Sequence, residues 1–442
     1  MIPLQRALRL GEAPQIAFVG AGGKSTALFI LARQFKKSVL VTTSTHLSDA
    51  QAASGDLQIA LQSKGDVESL DAGKLPKVTI ATGPFRNGVR VGGPDSKTLH
   101  ALSDLGRKGS IPLLIEADGA RLRALKAPAE HEPAIPEFVD AVIVVAGLSG
   151  LGKPLNHDSV HRPERFAELS ELKIGDEITS GAMLSVLHHE TGGLKNIPKG
   201  AQRILLLNQA DSPELEATAR RMARDLLSAY NAIWIGALQK TPFLAAVFEP
   251  VAGILLAAGE SKRFGQPKAL LDWRGKPFVR HAAETALSAG LEPVIVVTGP
   301  EAGKVEEALA GIPIKVVHNS GWQQGQSSSV KIGLAALPAR TGAAIFLVVD
   351  QPQLPAALIE SLTEEHAASL APIISPMVDD HRANPVLFDR ITFTDFESLQ
   401  GDVGGRAIFS RHAVRWLPWV DSSLALDVDT PEDYQRLLKL AG

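Results

Sequence analysis

The chain has 442 residues and no cysteine. That absence excludes disulfides, thiolate metal sites, iron–sulfur ligation and a cysteine nucleophile in one step. Two tyrosines and five tryptophans are too few for a base-stacking channel on single-stranded nucleic acid. The formal net charge is only −3 and no Lys/Arg-rich block occurs, so no global field draws the chain to nucleic acid or an anionic membrane. No apolar run reaches the roughly 18 residues that cross a bilayer. Met1 to Leu10 lack the apolar core and cleavage site of a secretory leader. A cytoplasmic protein with neither nucleic-acid nor membrane partners is expected. What is present is ordinary for a globular chain, 45% apolar and 21% charged residues. The length exceeds the roughly 250–300 residues at which one core stops growing, so two domains are expected.

The stretch from Val251 to Leu271 organises the second half. Val251 to Leu256 is an apolar run short enough for a buried strand. A loop with Gly259 and Gly265 follows, where backbone can approach a ligand closely. Arg263 and Lys268 place two cations in or just beyond it. Amides curled into a nest beside fixed positive charge suit a triphosphate. Read alone, the stretch also fits a surface turn with scattered charges.

The first half carries a second loop of this kind. Ile16 to Val19 leads into Gly20-Ala-Gly-Gly-Lys-Ser-Thr26, and Ala27 to Phe35 reads as an amphipathic helix. Gly20, Gly22 and Gly23 let the chain curl, and the helix start adds about half a positive charge. Lys24 reaches terminal phosphates in such a layout, and Ser25 or Thr26 holds Mg²⁺. The longer phosphate-loop pattern would put glycine at Phe18; the shorter form here resembles the ATP loop of the Mur ligases. A tight turn in a doubly wound sheet is the alternative. Ser38 to Val41 runs into Thr42-Thr-Ser-Thr-His46, hydroxyls at a strand end where ligands bind in open sheets. His46 is a ligand contact or simply hydrogen-bonded. Ile111 to Ile115 ends in Glu116 and Asp118, either magnesium carboxylates or helix caps. Lys126 to Pro133 is proline-rich and must be loop. His157 and His161 follow the apolar run Ala141 to Ala146. Arg203 to Leu207 ends in Asn208-Gln-Ala-Asp211, which resembles the guanine clamp N-K-x-D of GTPases with Gln209 in place of lysine. Asn208 and Asp211 are then base contacts, with the base left open. Pro242 and Pro250 bracket Phe243 to Glu249, read as the connector between domains 1–247 and 248–442.

In the second half, Val294 to Val297, Ile314 to Val317 and Ala344 to Val349 read as strands, with helices between them. Gln326-Ser-Ser-Ser329 opens a helix, where serines cap free amides. Asp350, at the end of an apolar strand, suits a divalent cation bridging phosphate and attacking oxygens, or a turn before Pro352. Arg406, in Gly401-Asp-Val-Gly-Gly-Arg, offers a bidentate phosphate grip.

Several of these motifs carry a resemblance. Leu256-Ala257-Ala258-Gly259, Ser261, Arg263, Phe264, Gly265, Lys268, Leu270 and Leu271 resemble the signature loop of the molybdenum cofactor nucleotidyltransferases. Gly325-Gln-Ser-Ser-Ser329, Arg382-Ala-Asn-Pro-Val-Leu-Phe388 (alanine 383 standing where the family has glycine), Gly401 to Arg406 and Asp427-Val-Asp-Thr-Pro-Glu-Asp433 are similar to further motifs of that family, in family order. The resemblance implies nucleotide contacts at Leu256 to Gly259 and at Gln326, Ser327 and Ser328. It implies acceptor contacts at Arg382, Asn384 and Arg406. Asp427 or Asp429 would join Asp350 on Mg²⁺, with Arg263 and Lys268 on the β/γ-phosphates. Gly20–Thr26, Thr42–His46, Glu116–Gly119, Lys126–Pro133 and Asn208–Asp211 together resemble the YqeC-type accessory proteins. That resemblance implies a nucleotide-binding role, with ATP or GTP as ligand and a selenium-dependent molybdenum hydroxylase in apo form as partner.

The fold expected is α/β in two three-layer α/β/α domains: a P-loop-like parallel sheet, then a mixed sheet of the Rossmann-like, GT-A nucleotidyltransferase type. The reaction implied is CTP plus molybdopterin-type cofactor giving the cytosine dinucleotide and pyrophosphate. The alternatives are a guanylyl- or sugar-phosphate transferase of the same fold, and a non-catalytic cofactor chaperone for a molybdoenzyme.

Overall fold

The computed structural model describes residues 1–86, 90–259, 264 and 266–440. It divides into two compact units, Met1–Phe248 and Glu249–Gly442.

The first unit is built on a ten-stranded sheet. Across it the order is Ile2–Pro3, Phe243–Phe248, Ala232–Gly236, Gln202–Asn208, Ala141–Gly147, Gln15–Gly20, Leu113–Glu116, Val39–Thr43, Val78–Thr82 and Leu57–Ala60. The strands from Ala232–Gly236 onward pair in parallel. Their near-continuous Val, Ile and Leu content follows, because a parallel sheet buries both faces. Ile143, Ile204, Leu205 and Trp234 are fully buried. The strand Gln15–Gly20 lies centrally, and helix Lys24–Gln34 leaves its C-terminal end through the glycine loop.

The segment Phe243 to Glu249, expected as a connector, is instead mostly a strand. Phe243–Phe248 pairs antiparallel with Ala232–Gly236 and with Ile2–Pro3, so it belongs to the sheet of the first unit. Pro242 and Pro250 stand just outside it, where a proline's missing donor costs the ladder nothing.

The second unit carries an eight-stranded mixed sheet. Lys315–His318, Val294–Thr298, Val251–Ala257 and Ala343–Val348 run parallel. Val386–Asp389 is antiparallel to Ala343–Val348 and pairs Ile373–Val378, which pairs Val414–Pro418 in parallel. After Val251–Ala257 the chain adds strands on one side, then returns to add Ala343–Val348 on the other. Ligands bind outside the strand ends at such a reversal. Beneath it, Phe346, Phe388 and Phe396 pack with ring centroids 5.1–5.6 Å apart.

Candidate functional site

A cavity of about 570 Å³ opens at the reversal point of the second sheet. Leu256 to Gly259 line one wall as the chain leaves the central strand, and Val348 to Asp350 enter from the neighbouring strand end. Lys268 and Ala269 come from a short 3-10 turn after Pro267. Gln326 and Ser329 come from the first turn of helix Gln326–Ala335, and Trp322 and Gly325 from the segment just before it; Asp402 and Asp429 close the lining. Arg263 and Gly265 lie outside the described residues. Phe264 is described, with its ring 6.0 Å from the Lys268 ammonium.

The electrostatics centre on Lys268. Its Nζ is 2.5 Å from Asp429 Oδ1 and 3.8 Å from Asp350 Oδ2. The other oxygen, Asp350 Oδ1, is buried without a hydrogen-bond partner among the described residues. Burial, then the charge of Asp427, pushes the Asp350 carboxyl up to about 6 against the pull of Lys268. Burial also raises Asp427, whose Oδ1 accepts from Gln351 Nε2 at 2.7 Å. Among the described residues no group of three or more His, Asp or Glu side chains is set to hold a metal ion. Mg²⁺ commonly takes one or two carboxylates and completes its shell with phosphate oxygens and water. The orphaned oxygen of Asp350 fits that arrangement.

Not every motif residue faces the cavity. Ser327 is buried, its amide donating to Gly401 O at 3.2 Å. Ser328 and Ser329 accept from Asn319 Nδ2 at 2.8 and 2.9 Å, pinning the helix to the loop before it. Of the predicted trio Gln326, Ser327 and Ser328, the cavity lining takes Gln326 alone. Arg382 stands over the Phe409 ring at 5.9 Å, outside the lining, as are Asn384 and Arg406. The Arg406 charge nonetheless acts on Asp427, opposing part of the rise that burial causes. Ala383 is not among the residues with left-handed backbone, and its amide donates to Pro376 O at 2.9 Å, so a side chain is tolerated there. Trp322 and Asp402 were not foreseen. The Asp402 carboxylate accepts from the Gln326 amide at 3.4 Å, capping the helix from the Gly401–Arg406 stretch.

The glycine loop of the first unit uses its own amides in part. Gly20 N donates to Asp118 Oδ2 at 3.0 Å, Ala21 N to Val145 O at 2.8 Å and Gly22 N to Arg123 O at 3.0 Å. Gly20 has φ +92°, and a Cβ there would sit 2.2 Å from Val145 O, so glycine is obligatory. No side chain caps helix Lys24–Gln34. The amides left for an anion are therefore those of the helix start, Gly23 to Thr26.

Around this loop, Glu116 and Asp118 have different surroundings. Asp118 is buried between two ammonium groups, Lys24 at 3.2 Å and Lys126 at 2.8 Å. Its charge is spent on those lysines. Glu116 instead accepts from Ser25 Oγ at 2.9 Å and from Gln51 Nε2 at 2.8 Å, and burial raises its pKa. Glu116 with Ser25 is thus the pair that suits a cation, while Lys24 folds back on Gly20 O at 2.7 Å. Lys126 also meets Glu132 at 2.7 Å, and Arg162 grips Glu132 through both nitrogens at 2.7 and 3.0 Å. Burial and the charges of Arg162 and Lys126 drive His161 down to about 4, so it is neutral at pH 7.

Asn208 is buried with both polar atoms engaged: Nδ2 donates to Gly22 O at 2.7 Å and Oδ1 accepts from Leu238 N at 3.1 Å. It ties the glycine loop to the neighbouring strand end. Asp211 lies at the surface beside Lys240, 3.8 Å away. Asn208→Ala strands a buried donor and acceptor, so it should cost about 1–3 kcal/mol. Thermal melting checks this.

Two family models match the chain: the MobA-like NTP transferase domain over residues 253–416 and the YqeC protein over residues 16–164. Uncharacterized protein YqeC of Escherichia coli (strain K12) is 31% identical over 245 residues, 53% of this chain and 91% of that protein. Nicotine blue oxidoreductase of Paenarthrobacter nicotinovorans is 35% identical over 203 residues, 42% of this chain and 96% of that protein. Probable molybdenum cofactor guanylyltransferase of Bacillus cereus (strain Q1) is 41% identical over 63 residues, 14% of this chain and 31% of that protein.

Proposed function

Because the chain belongs to the YqeC family in its first unit and to the MobA-like NTP transferase family in its second, we propose that it is a nucleotidyltransferase that moves CMP from CTP to a molybdopterin-type cofactor. The observation that carries this reading is the meeting of Lys268, Asp350 and Asp429 in one cavity with Leu256 to Gly259. A terminal phosphate oxygen of the acceptor attacks the α-phosphorus, and the bond to the β-phosphate oxygen breaks. Pyrophosphate leaves with that electron pair. No covalent enzyme intermediate is needed, so positioning and charge carry the catalysis. Lys268, with Arg263, binds the β- and γ-phosphates and stabilises the leaving group. Asp350, with Asp427 or Asp429, would hold Mg²⁺, which supplies charge neutralisation to the phosphates when bound. Arg382, Asn384 and Arg406 receive the acceptor.

CTP rather than GTP is supported by Leu256-Ala-Ala-Gly259, which in guanylyl relatives typically reads Leu-Ala-Gly-Gly. In the first unit, Gly23 to Thr26 with Lys24 take the phosphates of ATP or GTP, and that unit assists maturation of an apo-molybdenum hydroxylase.

The test is pyrophosphate release by the full chain with CTP, GTP or ATP, with and without molybdenum cofactor. Release with CTP that requires the cofactor is expected. Release with GTP alone overturns the cytidylyl assignment. No release with any nucleotide, alongside transfer of intact cofactor to an apo-hydroxylase, leaves the chaperone reading. One relative bears an oxidoreductase name. Oxidation of a reduced nicotinamide without pyrophosphate would replace the transferase reading altogether.

A further inference from the structure

We propose that Lys268 is a stand-in cation: without nucleotide its ammonium occupies the seat between Asp350 and Asp429, so that a divalent ion and a triphosphate are accepted only together. The inference rests on reading the cavity as a nucleotide site, and it adds the order in which that site fills.

Three observations carry it. The ammonium is shared by the two carboxylates, at 2.5 Å from Asp429 and 3.8 Å from Asp350. The far oxygen of Asp350 is buried without a hydrogen-bond partner among the described residues, and the lysine stands 3.8 Å from the near one, so it leaves that carboxylate incompletely satisfied. The described residues hold no ready cluster of three metal-ligating side chains. A lone divalent ion arriving here meets a fixed positive charge, and like charges a few ångströms apart in a cavity repel strongly. It also finds one carboxylate oxygen, Asp427 Oδ1, already accepting from Gln351.

A triphosphate changes both conditions. It offers Lys268 several anionic oxygens in place of the carboxylates of Asp429 and Asp350, so the ammonium can leave its seat for new anionic partners. It also brings the oxygens that a divalent ion needs beyond two carboxylates. The peptide of Asp350 stays tied to the Asp427–Asp429 segment, since Val428 N donates to Asp350 O at 3.0 Å. The carboxylates therefore keep their spacing while the lysine moves.

The experiment is a Mn²⁺ titration of the full chain by electron paramagnetic resonance, first without nucleotide. Wild type should bind Mn²⁺ weakly. Lys268→Met, which keeps bulk and removes charge, should bind it at least about tenfold more tightly. Lys268→Gln should do the same, and covers a folding failure of the methionine variant. Adding Asp350→Asn to either should abolish the gain, placing it at this seat. Adding CTP should tighten Mn²⁺ binding in wild type more than in Lys268→Met. Equal affinity of wild type and both folded variants for Mn²⁺ without nucleotide overturns the proposal. A wild type that never binds CTP overturns the transferase reading instead, and leaves the nucleotide-free comparison to be judged on its own result.

Discussion

Asp350→Asn should reduce cofactor-dependent pyrophosphate release by about a hundredfold to a thousandfold, the loss typical of removing one preorganised charge-stabilising group. It should do so without unfolding the protein. Asp350 is costly in its present place: one oxygen is buried without a hydrogen-bond partner among the described residues, and burial with the charge of Asp427 raises its carboxyl to about 6. A carboxyl raised above its unfolded value near 3.9 favours the folded state below that value. That contribution is lost as pH rises from about 4 through about 6. At neutral pH, without divalent ion or nucleotide, the ionised group therefore opposes folding. The neutral amide has nearly the same shape and escapes that cost. The variant should melt at or above the wild-type temperature at pH 7, and its advantage should shrink towards pH 4. An equal turnover in the two proteins would remove Asp350 from the machinery. A large drop in melting temperature would show that the residue serves the fold. Residues kept for chemistry against stability are expected at active sites.

The strands and loops that frame both candidate sites were legible in the sequence where their signals are local. Val251–Ala257, Ala141–Gly147 and Gln202–Asn208 are runs of apolar residues ending at glycine, asparagine or alanine. A central strand buried on both faces imposes that pattern. The glycine loop of the first unit announces itself because only glycine takes the backbone at Gly20. Asp350 and Glu116 are legible as carboxylates placed at strand ends.

What escaped depends on partners distant in the chain. Phe243–Phe248 reads as a connector because its strand character comes from Ala232–Gly236 and from Ile2–Pro3 at the other end of the unit. Trp322 carries no local signal, as it sits in a loop that Asn319 folds onto the helix start. Asp402 lay within a stretch readable for Arg406, but its capping of a helix some seventy-six positions away is a fact of packing. Gln51 is the same kind of residue. A local capping box with Ser48 holds its helix, and its amide then reaches Ser25 and Glu116. The roles of Glu116 and Asp118 diverge for a related reason. Two residues apart at a strand end, they read as a matched pair until Lys24 and Lys126 are seen to take one of them.

Glu132→Gln should strongly destabilise the first unit, for reasons of charge alone. Glu132 joins the buried Lys126 ammonium, 1% exposed, to the Arg162 guanidinium. Burial pushes its carboxyl up, but the hydrogen bonds and charges of Arg162 and Lys126 outweigh burial and hold it at about 2. Removing one partner of a buried pair costs roughly 3–5 kcal/mol, because the remaining charge is left uncompensated. Lys126 keeps Asp118, so the expected loss is about 3 kcal/mol, at the low end of that range. The pH dependence gives the charge account a separate check. A carboxyl lowered in the folded state stabilises fully above its unfolded value near 4.3, and that stability drains as pH falls towards about 2. The gap in melting temperature between wild type and Glu132→Gln should be constant from pH 5 to 7 and should narrow below about pH 4.3. A gap that persists unchanged down to pH 3.5 would mean that shape rather than charge is lost. Because Lys126 also holds Asp118, which receives Gly20 N and Lys24, the same variant should weaken ATP and GTP binding at the glycine loop while leaving Mn²⁺ binding at Asp350 unchanged.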